Sequence, residues 1–165
     1  MIKKFLIALF IALLVLPRIV FAAFDMTIEP NQRSIDFGRM DMGEEKTLEE
    51  RGGYEHMFSF VSTNNRIWHF KAQLLRPFTS GVHTIPAENF EWVVDEIRNG
   101  QGSFTANISQ PSHFSTLPVL IYISSGADNT GATVQIKLKY KLKIPKYQAA
   151  GAYTAQIRFI MMEAL

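Results

Sequence analysis

Thr133-Val-Gln-Ile-Lys-Leu-Lys-Tyr-Lys-Leu-Lys-Ile144 decides the fold. Val134, Ile136, Leu138, Tyr140, Leu142 and Ile144 alternate without a break with Thr133, Gln135, Lys137, Lys139, Lys141 and Lys143. A period of two with one apolar face is a half-buried antiparallel strand. Its length leaves room for a bend or a change of sheet. Pro145 to Gly151 ends the ladder, and Tyr153, Ala155, Ile157, Phe159 and Met161 form the apolar face of a second strand. The two are expected to pair as a hairpin.

Upstream, further short strands are expected at 24–28, 34–37, 46–51, 54–62, 66–75, 90–94, 103–108 and 117–124, separated by Gly, Pro and Asn clusters. No helical stripe runs over three turns. This pattern predicts an all-β, Ig-like antiparallel β-sandwich.

The sandwich is preceded by an export signal. Lys3-Lys4, the apolar run Phe5–Leu16 and Val20-Phe21-Ala22 read as a secretory signal peptide spanning 1–22, cut between Ala22 and Ala23. Pro17-Arg18 breaks the apolar run short of the ~20 residues a membrane span needs. The remaining 23–165 is expected to be one domain, exported to the periplasm, the cell surface or the medium, with no membrane span after cleavage.

Lys3, Lys4 and Arg18 fall in the signal and no acid does, so 14 bases face 15 acids in the remainder, a net charge of −1. The precursor's basic pI therefore gives no ground for a nucleic-acid partner. Zero cysteines exclude thiol chemistry, thiolate metal sites and a disulfide scaffold. The charge is uneven: 25–55 is acidic and 132–165 basic. Pairing of the N-terminal strands beside the lysine-bearing strand accounts for this within one molecule; head-to-tail contact between molecules is the alternative.

Lys137, Lys139, Lys141 and Lys143 project as a row with a spacing of about 7 Å, a candidate seat for an acidic polysaccharide or a solvated face. Trp68, Trp92, Tyr122, Tyr147 and Phe78 are a candidate aromatic platform for sugar rings, with Trp68 and Trp92 placed by their spacing as core residues instead. His56, His69, His83 and His113 lack metal-ligand spacing, so no metal or cofactor is expected. Ser112-His113 with Asp128 lacks a G-x-S-x-G elbow, and the adjacent pairs Glu44-Glu45 and Glu49-Glu50 point to opposite faces of a strand. The chain is therefore expected not to be an enzyme.

Two stretches carry resemblances. Pro30 through Glu44, with Ile35-Asp36-Phe37-Gly38-Arg39-Met40, resembles the opening of many bacterial Ig-like domains. Ile144-Pro145 through Gly151-Ala152-Tyr153-Thr154-Ala155-Gln156-Ile157 resembles the closing hairpin of secreted pilin-like and cell-surface sandwich proteins. The order of Trp68, Phe78, Ile85-Pro86 and Trp92 is similar to that in surface proteins of the WxL type. The pilin-like resemblance implies assembly by donor-strand exchange, in which a segment of one subunit completes a neighbour's sheet. The expected function is structural or adhesive, through contact with other subunits or surface components, self-association included. A carbohydrate-binding module is the alternative, and a periplasmic accessory of pilus assembly a third reading.

Overall fold

A computed structural model describes residues 22–29, 34–47, 56–105 and 110–164. The expected signal peptide lies outside the described residues except for Ala22, which is exposed. Ala23 N–H donates to Thr63 Oγ1 (2.6 Å), and its carbonyl accepts from Thr63 N–H (2.8 Å).

Two antiparallel sheets pack face to face. The strands are β1 (Phe24–Ile28), β2 (Glu45–Thr47), β3 (His56–Ser62), β4 (Trp68–Ser80), β5 (His83–Thr84), β6 (Phe90–Arg98), β7 (Ser103–Phe104), β8 (Ser112–His113), β9 (Val119–Ile123), β10 (Val134–Lys143) and β11 (Thr154–Glu163). One sheet runs β1-β3-β10-β6-β8, with β2 on the far end of β10; the other runs β11-β4-β9-β7, with β5 on β4. The described residues contain two 3-10 turns, Ala87–Asn89 and Gly126–Asn129, and no α-helix. The sandwich expected from the alternation is the architecture found.

Alternation sets the core. Val134, Ile136, Leu138, Tyr140 and Leu142 face inward from β10, Phe58 and Phe60 from β3, and Trp68, Phe70, Ala72 and Leu74 from β4, all buried. Phe58 packs 4.9 Å from Phe70 and 4.5 Å from Phe159, ring centroid to centroid, joining the two sheets. Tyr140 Oη and His56 Nδ1, both inside, share a hydrogen bond at 2.9 Å.

The expected hairpin does not form. β10 and β11 are consecutive but lie in different sheets, β10 between β3 and β6 and β11 beside β4. Tight hairpins use loops of about two to five residues, and the connection from Ile144 to Tyr153 is longer. It crosses the end of the sandwich, tied by Tyr153 Oη, which donates to the Ala149 carbonyl (2.7 Å) and accepts from Gln148 Nε2 (2.7 Å). β10 itself does not change sheet.

Other boundaries moved. Residues 34–37 are irregular, β4 runs on through Pro77 to Ser80, and β5 and β8 were not expected. The turn after β3 puts Asn65 at φ 57°, where asparagine is tolerated.

The edge formed by β9 and β7 is closed by a buried carboxylate. Asp128 accepts from Tyr122 Oη (2.7 Å), Ser125 N–H (2.8 Å) and Gln101 N–H (2.7 Å), while Tyr122 Oη accepts from Gly102 N–H (2.7 Å). Burial, then the bond to Asp128, pushes the Tyr122 phenol far up, so it stays a donor. A Cβ on residue 102 would lie 2.0 Å from the Ile123 carbonyl oxygen, so only glycine fits.

Phe58→Ala should cost about 3–5 kcal/mol, as large aromatic truncations in cores do, and lower the urea midpoint followed by tryptophan fluorescence. Val82→Ala, at a position 92% exposed, should stay within about 0.5 kcal/mol of the parent.

Candidate functional site

The lysine row comes out as an ion-pair ladder. The outward face of β10 meets β6, which sequence reading did not identify as its acidic partner. Lys139 Nζ lies 2.6 Å from Asp95 Oδ1, and Lys137 Nζ 3.2 Å from Asp95 Oδ2. Lys141 Nζ bridges Glu45 Oε1 (2.8 Å) and Glu91 Oε2 (3.5 Å). Lys143 ends the row exposed. A bulge makes this geometry. Lys137 pairs with Glu96 and Leu138 with Val94, so Asp95 is the extra residue of β6 and is aimed between two lysines.

Burial raises the Asp95 carboxyl, but hydrogen bonds and charge from Lys139 and Lys137 outweigh it and hold the group below its ordinary value. For Lys141, the bond to Glu45 comes first among the causes holding its ammonium above the usual range. Of the N-terminal acids expected to neutralise the lysines, Glu45 does so directly, across the β2–β10 ladder.

Trp92 is inside. It lies opposite Tyr140 on β6, 1% exposed, and Trp68 is fully buried. Neither ring offers a face to a sugar, so Trp92 is a core residue and not a binding residue. The imagined triad does not assemble either. Asp128 is taken up by Tyr122, Ser125 and Gln101, and His113 faces Glu91 at 3.8 Å. Among the described residues no three His, Asp or Glu are grouped to hold a metal, and no helix is long and apolar enough to cross a membrane.

The feature sequence reading missed is a seam. Among the described residues, β1 pairs only with β3 and β11 only with β4, so both are edge strands, one in each sheet. Between them runs an open groove of about 790 Å³, lined by Met26 and Ile28 of β1, Ile35, Phe78, and Ile157 and Phe159 of β11. A second pocket of about 420 Å³ shares Ile35, Phe78 and Tyr153 with it and ends under the 148–151 loop. A shallow extension of about 600 Å³ follows Phe24, Met26 and Arg158 at the other end.

The burial of β11 records the opening. On β4 the inward residues Trp68, Phe70, Ala72 and Leu74 are at most 1% exposed. On β11 the equivalent row, Ala155, Ile157, Phe159 and Met161, is only partly buried. The sequence shows the row and its apolar character. Whether another strand covers it is a non-local property that alternation does not encode.

No family model, curated protein or solved structure matches the chain.

Asp95→Asn tests the ladder. A carboxyl held low contributes stability above its ordinary titration range and loses that contribution as pH falls through the lowered value. The variant should be less stable at pH 7 by no more than about 1 kcal/mol, the range of half-exposed ion pairs. Parent and variant urea midpoints should converge as pH falls below the ordinary carboxylate range.

Proposed function

We propose that this is an exported, non-catalytic structural or adhesive protein that works by protein–protein contact, accepting an extended segment of another chain at the seam between β1 and β11. The observation that carries the reading is the half-covered row Ala155, Ile157, Phe159 and Met161 beside a main-chain edge with no neighbour among the described residues.

Such an edge offers unpaired N–H and C=O groups to an incoming strand, and the groove offers pockets for every second side chain. The space suits that occupant. About 790 Å³ is roughly five times the ~150 Å³ cavity that takes up one benzene, room for a row of apolar side chains. Full burial of each large apolar side chain is worth about 1.5–3 kcal/mol over exposure, so completing the seam recovers stabilisation left unrealised. The pilin-like resemblance at 144–157 points the same way. The polysaccharide alternative has less to stand on, since Trp92 is buried and Lys137, Lys139 and Lys141 already face carboxylates.

The probe is a ten-residue peptide alternating leucine and threonine with Ser-Gly ends, added to protein beginning at Ala23. At a hundred times its Kd such a ligand stabilises the fold by about 2.7 kcal/mol, so Tm should rise by several degrees. Amide exchange should slow along β11. Ile157→Asp should remove both effects, and Leu75→Asp, on the outer face of the same sheet, should leave them. No stabilisation at millimolar peptide, or protection confined to other strands, would count against the reading.

A further inference from the structure

Charge is divided unequally between the two outer faces of the sandwich. On the sheet containing β10, Lys137, Lys139 and Lys141 each lie within salt-bridge distance of a carboxylate, and only Lys143, at the exposed end of the row, has none among the described residues. The other sheet differs. Lys71 faces outward from β4 and Arg158 from β11, with Arg76 at the far end of β4, and none has a carboxylate partner among the described residues. Arg158 donates to the Gln73 side chain and Arg76 to Thr154 Oγ1 (3.2 Å), both neutral acceptors. The one acid on these strands, Glu163, lies opposite inward-facing Trp68 and is engaged by Arg66 (2.8 Å) and Asn64.

Arg158 also stands on the lip of the seam, where it lines the shallow extension with Phe24 and Met26. Lys71 is its near neighbour: Arg158 is opposite Gln73, and Ile160, two residues on, is opposite Lys71. A strand added to the free edge of β11 alternates like any other. Every second side chain enters the groove, and the rest lie on the outer face beside Gln156, Arg158, Ile160 and Met162.

We infer that the segment accepted at the seam carries a carboxylate at the outward position beside Arg158. This rests on the strand-acceptor reading and adds the chemistry of the partner to it. A guanidinium with only a neutral acceptor has donors to spare for a carboxylate, which it can take in bidentate geometry. The acidic lip across the seam does not oppose this. Asp25 alternates with the inward Met26 and so belongs to the outer face of the other sheet. Asp36 lines the groove at its other end, beside Tyr153 and Thr154, and bonds to Gly38 N–H (2.6 Å).

The test uses two versions of the alternating peptide that differ at one central outward position, glutamate in one and lysine in the other. Kd for each is measured by fluorescence polarisation. The glutamate peptide should bind about three- to tenfold more tightly, the scale of opposite against like charges across a strand pair, and the gap should narrow in 0.5 M salt. Arg158→Glu, at an exposed position that leaves the core untouched, should invert the preference; Asp25→Lys should not change it. Equal affinities for the two peptides, or a preference that survives Arg158→Glu, would overturn the carboxylate assignment while leaving strand acceptance intact. Binding of neither peptide would overturn strand acceptance itself and the assignment with it.

Discussion

The inward row of β10, from Val134 to Leu142, is the surface against which the rest of the molecule is arranged. It lies between β3 and β6, and its outward lysines fix how β6 is laid alongside. The two rows impose different demands. The apolar row needs strict alternation facing the other sheet, and the basic row needs carboxylates on a neighbour. β6 meets both by carrying one residue too many. Its inward residues are Phe90, Trp92 and Val94, and after the bulge Ile97 packs against the core, while Asp95 goes out to the lysines. A one-residue slip in a sheet exchanges the faces of every side chain beyond it; here it leaves Asp95 between two lysines and returns Ile97 to the core.

Much of this was legible in the chain. The alternation at 133–144, the apolar face at 153–161 and the shared face of Trp68, Phe70, Ala72 and Leu74 all identify strands and name their inward residues. What alternation does not specify is which strand lies beside which. The strands β10 and β11 read as a hairpin because they adjoin in sequence, yet the connection from Ile144 to Tyr153 is long enough to cross between sheets. Asp95 falls beyond the strand expected at 90–94, and the bulge that aims it exists only once β6 and β10 are paired. The seam was hidden for the same reason. The chain displays Ile157 and Phe159 as a core face, and only the strand order shows that nothing among the described residues completes it.

A protein held without disulfides places its stability in the core. Here the core is densely aromatic at its centre, through Phe58, Phe60, Phe70 and Trp68, and thins toward β1 and β11. The unfilled end is therefore not a defect in packing at large. It is local, linear and bordered by the main chain of two edge strands.

The carboxylate of Asp128 gives this asymmetry a mechanical side. It clamps the β6–β7 connection at Gln101 to β9 and the turn after it, at the edge of the sandwich farthest from β11. The molecule is thus bound like a book, with a stitched spine along one margin and an open fore-edge along the other. The two margins therefore differ in construction: hydrogen bonds to one carboxylate tie the first, while at the second the apolar side chains of β1 and β11 face each other across open space.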